Sequence, residues 1–239
     1  MFEIVPAVDV KGGRCVRLRQ GRAEDETVFA EDPVSMARRW EAAGATRLHV
    51  VDLDGAFEGR PVQAAVVHEI IRALAIPVQV GGGLREAAQI DAVLRAGARW
   101  AIVGTRAALD PAFLSDVCQR FRDRVIVGVD ASGGRVAVDG WTRRLDLEAL
   151  QLVREAIRAG AAAIVYTDIA RDGMETGPSL SSTAAVVREA SIPVFASGGV
   201  SSLDDIRDLA AVPGLAGVVV GRALYSGAVD FSRARAAVS

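Results

Sequence analysis

The sequence predicts a (β/α)8 barrel, and three features of the chain support this fold. Short runs of β-branched residues alternate with helical patterns eight times along the chain. The length of 239 residues lies in the range that such barrels occupy as one domain. The two halves of the chain also resemble each other. We therefore expect one barrel domain over residues 1–239.

Each predicted strand is a short aliphatic run, which suits a parallel strand buried on both faces. The eight runs are Glu3–Val8, Arg47–Val51, Val78–Val80, Trp100–Val103, Val125–Val129, Ala163–Tyr166, Val194–Ala196 and Gly217–Val220. Strict alternation with helices implies parallel strands joined by right-handed crossovers. Such units can close into a barrel that has no exposed edge. An open doubly wound sheet is the competitor, but its edge strands are usually more polar than any strand here.

The predicted helices follow the strands one by one. They are Pro33–Ala43, Val62–Ala73, Glu86–Ala96, Ala112–Arg120, Glu148–Ala159, Ser181–Ala190, Leu203–Ala210 and Phe231–Val238. Some begin after a residue that can accept hydrogen bonds from free backbone N–H groups, namely Asp32, Asp110 and Ser202. Others should stop at a glycine, which adopts the left-handed conformation at little cost; these are Gly44, Gly97 and Gly160.

Composition and charge narrow the class of protein. The formal net charge is −2 and neither a basic face nor a basic tail stands out, which argues against a general nucleic-acid or membrane-surface binder. Cys15 and Cys118 lie far apart without metal-ligand spacing, as expected for reduced thiols. No leader pattern precedes the first strand, and no apolar run approaches the length of a membrane span. We expect a cytoplasmic monomer that holds no metal.

Four matches in the same order relate the two halves at an offset of 116 to 121 residues. The matching segments begin at Val8 and Val129, Ala43 and Ala159, Ile76 and Ile192, and Val103 and Val220. This repeat indicates two four-unit halves that face each other across an axis. A site element in one half should then have a counterpart in the other half.

The first and fifth predicted strands run into Asp9 and Asp130, which are equivalent positions of the two halves. The active face of such a barrel lies at the carboxyl ends of its strands. Burial of an unpaired carboxylate usually shifts its pKa, and two carboxyl groups in different surroundings can divide into a base and an acid. The alternative is that each aspartate only caps a loop.

Glycine loops form a second group of candidates. Ser197-Gly198-Gly199 follows the seventh strand, and Gly221-Arg222 ends the eighth. Loops in this position often hold a phosphate on bare N–H groups and a short helix N-terminus. One glycine pair is more often a turn, but Gly81-Gly82-Gly83 and Gly104-Thr105 are the equivalents in the first half. The repeat therefore predicts a long ligand with a phosphate at each end.

Other polar and aromatic residues are more ambiguous. Thr167 at the end of the sixth strand could bond a substrate oxygen or its own loop. Gly133-Gly134 predicts a hairpin whose second arm brings up Gly140-Trp141, where the indole could stack on a flat heterocycle or only pack. We expect His49 and His68 to have core or surface roles.

Seven motifs occur in order from one end of the chain to the other. They are Pro6–Val10, Gly13–Leu18, His49–Asp54, Val80–Arg85, Gly140-Trp141, Thr167–Gly173 and Ser197–Val200. As a set they resemble the phosphoribosylformimino-aminoimidazole carboxamide ribotide isomerases of histidine biosynthesis. The resemblance covers essentially the whole chain.

The resemblance implies a cofactor-free Amadori rearrangement. The enzyme would open the ribose ring of an aminoaldose that carries two phosphates and form the aminoketose. By the family pattern, Asp9 would be the general base at the sugar C2 and Asp130 the general acid at the ring oxygen. Thr167 would assist, and Asp172 is a further candidate acid.

The resemblance also implies a set of binding residues. One phosphate site would be lined by Gly82, Gly83, Arg85, Gly104 and Thr105. The other would be lined by Gly177, Gly198, Gly199, Gly221 and Arg222, with Ser197 counted among the binding residues. Arg17 and Trp141 would lie near the middle.

Three alternatives remain. The cyclase that partners a glutamine amidotransferase should have Cys-Leu-Asp in its first strand and a lysine soon after its Gly-Arg, where this chain has Ala7-Val8-Asp9 and Arg17. A bifunctional isomerase that also converts phosphoribosyl anthranilate often has an arginine where this chain has Asp139. A non-catalytic phosphate-binding barrel would not need both aspartates. We favour the monofunctional isomerase.

Overall fold

The computed structural model describes residues 2–19, 22–174 and 176–238. Its strands are β1 (Glu3–Lys11), β2 (Arg14–Arg19), β3 (Arg22–Ala30), β4 (Leu48–Asp52), β5 (Val78–Gly81), β6 (Trp100–Val103), β7 (Val125–Ser132), β8 (Arg135–Val138), β9 (Arg143–Glu148), β10 (Ala163–Asp168), β11 (Val194–Ser197) and β12 (Gly217–Val220).

Eight of these strands form a closed parallel barrel in the order β1, β4, β5, β6, β7, β10, β11 and β12. The ring closes because β12 pairs in parallel with β1 and β7 pairs in parallel with β10. Closure confirms the predicted barrel and excludes the open doubly wound sheet. It also brings the carboxyl ends of all eight strands to one end of the molecule.

The helices are α1 (Pro33–Ala42), α2 (Leu53–Glu58), α3 (Ala64–Ala73), α4 (Ala87–Arg95), α5 (Thr105–Leu109), α6 (Pro111–Arg120), α7 (Ala149–Ala159), α8 (Leu180–Glu189), α9 (Leu203–Ala210), α10 (Arg222–Tyr225) and α11 (Phe231–Val238). Eight of them match the predicted helices to within about two residues, which is the usual scatter of helix ends. The sequence prediction missed α2, α5 and α10.

The predicted helix ends are confirmed by hydrogen bonds and backbone angles. The side chains of Asp32, Asp110 and Ser202 accept hydrogen bonds from the first turns of α1, α6 and α9. The predicted stop glycines have positive φ angles, 94° at Gly44, 111° at Gly97 and 83° at Gly160. Local capping chemistry therefore sets these boundaries.

Two antiparallel hairpins extend strands β1 and β7 beyond the barrel wall. Consequently neither strand ends at its aspartate, as the sequence analysis expected; β1 continues to Lys11 and β7 to Ser132. The turns that follow have nearly the same backbone, with φ angles of 54° and 77° at Gly12-Gly13 and 58° and 78° at Gly133-Gly134. The hairpin predicted at Gly133-Gly134 is confirmed, and the first half contains its counterpart.

The apolar core has two layers. The larger layer lies between the barrel and the helices and includes the fully buried Leu48, Ile70 and Leu152. The smaller layer fills the barrel interior with apolar side chains from alternate strand positions, among them Val5, Ala7 and Phe195. Among the residues that the structure describes, no helix combines the length and the apolar character needed to cross a membrane.

Candidate active site

A cavity of about 240 Å³ opens at the carboxyl ends of the barrel strands. It is lined by the four predicted catalytic residues Asp9, Asp130, Thr167 and Asp172. It is also lined by the predicted binding residues Arg17, Gly82, Gly83, Arg85, Gly104, Thr105, Trp141, Ser197, Gly198, Gly199, Gly221 and Arg222. Gly177 is not a lining residue. Its N–H donates a 3.0 Å hydrogen bond to the carbonyl of Gly199, so it lies against the loop that does line the cavity.

The carboxylate of Asp9 forms an ion pair with Arg17, with 2.6 Å between Oδ2 and Nη1. The hairpin makes this pair possible because Asp9 lies opposite Val16, the neighbour of Arg17. Arg17 also donates a hydrogen bond to the carbonyl oxygen of Ala7. Burial raises the pKa of Asp9, and the charge of Arg17 opposes that rise.

The position of Arg17 is fixed by Tyr225 and by the space beside Gly221. Its guanidinium lies 5.0 Å from the centre of the Tyr225 ring, and the Tyr225 hydroxyl donates a 2.8 Å hydrogen bond to the Ala7 carbonyl. A Cβ at Gly221 would lie 2.5 Å from the Cζ of Arg17. Glycine at position 221 therefore leaves the space that the guanidinium occupies.

Asp130 receives hydrogen bonds from two neighbours. The Nε1–H of Trp141 donates to its Oδ2 over 2.8 Å. Thr167 lies beside it on β10 and forms a side-chain hydrogen bond with it. Burial raises the pKa of Asp130, and both hydrogen bonds oppose that rise because they stabilise the charged form.

The flap that carries Trp141 has an unusual backbone. Asp139, Gly140 and Trp141 have positive φ angles of 55°, 63° and 70°. A Cβ at Gly140 would lie 2.7 Å from the ring of Phe57, so a side chain would not fit there. Asp139 and Trp141, the two non-glycine residues that flank Gly140, lie outside the common backbone regions, which indicates a conformation that tertiary contacts maintain.

Asp172 is a third carboxyl group in the same cavity. Burial raises its pKa to about 7, with Arg17 lowering it and the carboxylates of Asp9 and Asp130 raising it. A carboxyl group with this pKa can exchange a proton near neutral pH. The cavity thus combines three carboxyl groups with one buried arginine.

Two glycine pairs on opposite sides of the barrel have the same conformation. The φ angles are 99° and 71° at Gly82-Gly83, and 90° and 87° at Gly198-Gly199. A Cβ at Gly82 would lie 2.1 Å from the carbonyl oxygen of Asp52, and one at Gly198 would lie 2.8 Å from that of Asp168. The duplicated sequence therefore forms a duplicated loop geometry, packed against equivalent residues in both halves.

The loops after β6 and β12 repeat in the same way. The backbone angles φ and ψ are −118° and −85° at Gly104, and −110° and −99° at Gly221. Thr105, which follows the first of these glycines, accepts a 2.9 Å hydrogen bond from the N–H of Asp139. Each half of the barrel thus supplies one pair of glycine loops to the cavity wall.

Arg85 already has a protein partner at the rim of the cavity. Its Nη2 lies 2.9 Å from Oδ1 of Asp139, and Arg143 lies 2.9 Å from the other oxygen of that carboxylate. Asp139 thus neutralises part of the positive charge that an anionic ligand would meet at Arg85.

His49 and Phe57 are among the lining residues that had no site role predicted from the sequence. Phe57 lies on α2, which is too short to show helical periodicity. The sequence does contain a signal for His49. Arg47 and His49 are polar residues at alternate positions of a strand expected to be buried on both faces, so both point to the same side of that strand. No group of three or more His, Cys, Asp or Glu side chains suited to a metal ion occurs within the described part of the chain.

Comparisons with known proteins agree with this geometry. A family model described as "Histidine biosynthesis protein" matches residues 3–230. Relatives named 1-(5-phosphoribosyl)-5-((5-phosphoribosylamino)methylideneamino) imidazole-4-carboxamide isomerase include one from Marinobacter nauticus, 49% identical over 98% of this chain and 96% of the relative. Another, from Hahella chejuensis, is 50% identical over 97% of this chain and 96% of its own. A third, from Halorhodospira halophila, is 51% identical over 97% of this chain and 95% of the relative. The chain therefore belongs to the histidine biosynthesis protein family.

Proposed function

We propose that this chain catalyses the Amadori rearrangement that converts the bisphosphorylated aminoaldose phosphoribosylformimino-aminoimidazole carboxamide ribotide to its aminoketose. One observation carries the proposal. Asp9 and Asp130, the equivalent aspartates of two similar half-barrels, line one cavity between two opposed pairs of glycine loops. That arrangement suits a ligand held at both ends and reacting at its centre.

Asp130 is assigned as the general acid. Transfer of a proton from its carboxyl group to the ribose ring oxygen allows the C1–O bond to break, and the lone pair of the nitrogen then forms a protonated Schiff base with C1. Burial raises the pKa of Asp130, which favours the protonated form that this step needs. Thr167 and Trp141 hold the carboxyl group in place through hydrogen bonds.

Asp9 is assigned as the general base. It removes the proton from C2, the electrons of the C–H bond form the C1–C2 double bond, and the electrons of the C1–N double bond move to the nitrogen, which gives an enolamine. A proton then adds to C1 while the C2 hydroxyl loses its proton and becomes the ketone, so the net proton count is unchanged. The ion pair with Arg17 favours the charged carboxylate that this step needs. Because C1 is reduced while C2 is oxidised, the rearrangement requires no redox cofactor.

The two pairs of glycine loops are assigned to the two phosphates. Bare backbone N–H groups in these loops can approach phosphate oxygens closely. Arg85 lies at one side of the cavity and Arg222 at the other, and both can add positive charge. We expect a monomeric enzyme, since the proposed site needs no group from a second copy. The free and buried Cys15 and Cys118 fit a cytoplasmic location.

We infer that the enzyme acts on this ribotide and does not act on phosphoribosyl anthranilate. The anthranilate ribotide carries a carboxylate on its aromatic ring. At the rim of the cavity, Asp139 presents a carboxylate of its own beside Arg85. Like charges repel, and Arg85 is already partly neutralised, so the anthranilate carboxylate lacks a free positive partner at this position.

An assay of the purified chain with both ribotides tests the proposal. Chromatography of the reaction mixtures measures conversion. We expect the histidine-pathway ribotide to be converted to its ketose and the anthranilate ribotide to remain unchanged. Appreciable turnover of both would establish the bifunctional enzyme. Binding of the histidine-pathway ribotide without conversion would indicate the non-catalytic barrel.

A further inference from the structure

A column of polar side chains runs through the apolar interior of the barrel. At its base, the guanidinium of Arg47 lies 4.0 Å from the ring centre of Trp100 and 4.6 Å from that of Phe195. Glu3 pairs with it, 3.2 Å from Nε to Oε2. Its Nη1 donates a 3.3 Å hydrogen bond to Oε1 of Gln79. Arg47 is therefore held firmly and points a donor at Gln79.

Gln79 transmits this constraint to His49. Its side chain is completely buried, and its Nε2 lies 2.8 Å from Nδ1 of His49. A guanidinium only donates hydrogen bonds, so the amide oxygen of Gln79 must face Arg47. The amide NH2 must then face His49, and Nδ1 of His49 must accept. The proton of the neutral imidazole is consequently on Nε2.

The same contact disfavours the imidazolium form of His49. A second proton at Nδ1 would point at the NH2 group of Gln79, donor against donor. Burial and the positive charge of Arg17 together lower the pKa of His49 to about 3. The charged groups around the ring are Arg17 from the hairpin, with its partner Asp9, and Arg47 beyond Gln79.

His49 lies one step below the catalytic level of the barrel. It pairs with Ala7 in the β1–β4 register, whereas Asp9 pairs with Val51, two residues farther along β4. The imidazole lines the cavity and Gln79 does not. Because Nδ1 is turned toward Gln79, the opposite ring nitrogen is the one directed at the cavity.

We propose that His49 presents Nε2–H at the cavity floor as a permanently neutral donor that positions a substrate oxygen near Asp9, and that Arg47 and Gln79 hold it in this tautomer. The substrate in this statement rests on the proposed function; the tautomer does not. A neutral donor can orient an oxygen without adding a charge beside the base. An imidazolium at the same place would stabilise the carboxylate of Asp9 and make it a weaker base.

Nuclear magnetic resonance of the chain labelled with 15N-histidine tests the tautomer directly. The sequence has two histidines, so in the His68→Gln variant the only histidine ring signals are those of His49. We expect a non-protonated Nδ1 and a protonated Nε2 at neutral pH, unchanged across the pH range in which the chain stays folded. A proton on Nδ1, or an imidazolium at neutral pH, would overturn the proposal. This spectrum needs no turnover, so its outcome is independent of whether the ribotide is the substrate.

Gln79→Glu is the matched variant, since it keeps the size of the side chain and replaces the donor with an acceptor. A carboxylate can accept from both Arg47 and His49, so we expect a proton on Nδ1 of His49. An unchanged His49 spectrum in folded Gln79→Glu would show that Gln79 does not set the tautomer and would overturn that part of the proposal.

Kinetics of folded variants test the positioning role. We expect His49→Phe to lower kcat/KM for the ribotide about tenfold, the effect of one lost hydrogen bond. His49→Gln can still donate an N–H, so its kcat/KM should lie between those of His49→Phe and the wild type. If His49 had only a packing role, kcat/KM would be higher in His49→Phe than in His49→Gln, because phenylalanine keeps a ring of similar shape. His68→Gln should match the wild type. Wild-type kcat/KM in His49→Phe would overturn the role of His49 as a donor.

Discussion

The indole N–H of Trp141 donates a 2.8 Å hydrogen bond to Oδ2 of Asp130, which joins the flap after β8 to the carboxyl group assigned as the acid. The sequence suggested stacking on a heterocycle or simple packing for this tryptophan. In the structure its polar edge is directed to Asp130, and three consecutive residues with positive φ angles bring it there. The flap therefore affects the proton affinity of Asp130 as well as the shape of the cavity.

Trp141→Phe should shift the pH profile of turnover. The hydrogen bond from Trp141 lowers the pKa of Asp130, so its loss raises that pKa. A general acid works in its protonated form, and the alkaline limb of kcat should therefore move to higher pH. The comparison is Thr142→Ala, which removes a flap hydrogen bond to the Asp139 carbonyl and does not touch Asp130. An alkaline limb that stays in place in Trp141→Phe would contradict the assignment.

Asp9→Asn should lower kcat by at least about 100-fold with substrate binding largely retained, because a neutral amide cannot remove the C2 proton. Single-turnover kinetics and equilibrium binding would separate the two effects. Asp146→Asn is the control, since Asp146 is 97% exposed and pairs only with the surface residue Arg135 among the described side chains. Near-normal turnover of Asp9→Asn would remove Asp9 as the base.

Asp172→Asn should change how stability depends on pH. The pKa of Asp172 is about 7 in the folded chain, compared with the ordinary value of 3.8 that applies to the unfolded chain. Between these values the folded state binds more protons, so the contribution of Asp172 to stability is present below about pH 4 and lost as the pH rises to about 7. Asparagine stays neutral throughout. Thermal unfolding should therefore show a melting-temperature advantage of Asp172→Asn that grows across this window and then levels off; an advantage independent of pH would refute the shift.

Crystals soaked in phosphate should contain two anions on one face of the barrel. One is expected at Gly82, Gly83 and Thr105, and the other at Gly199 and Arg222, because the loops repeat in conformation. Arg222→Met should weaken the second site and leave the first occupied. A single anion in the wild-type crystal would count against a duplicated phosphate site.

Asp52→Ala should destabilise the fold by about 3 kcal/mol, since it leaves buried N–H groups without an acceptor. The carboxylate of Asp52 is 2% exposed and accepts hydrogen bonds from the N–H groups of Gly55, Val62 and Gln63 over 2.7, 2.7 and 2.8 Å. Its half-barrel counterpart Asp168 accepts one from Ala170 over 3.2 Å in a more open position. Urea unfolding should give a loss below about 1 kcal/mol for Asp168→Ala. Equal losses would show that the bonds of Asp52 are not the cause.

Signals that lie within a few residues predicted the fold well. Apolar runs marked the eight barrel strands, and capping residues and glycines marked the helix ends. Local signals are absent where an element is too short for periodicity, as in α2, α5 and α10, or where its sequence is polar. Strand β3 reads Arg22–Ala30 with four charged residues, and it forms because β2 offers it a hydrogen-bonding edge.

The chain's local patterns were enough to specify the barrel, the position of Asp9 and Asp130 at equivalent strands, and the repeated glycine loops. Each of these depends on residue spacing and on backbone conformations that glycine permits. Folding in three dimensions was needed to set the partners of the carboxyl groups, with Arg17 on Asp9 and Trp141 on Asp130, and to link His49 to Arg47 through Gln79. The first two contacts depend on how each hairpin folds back over the cavity, and the third joins side chains of separate strands in the barrel interior. None of them follows from residue spacing within one element, because each depends on where burial places the side chains.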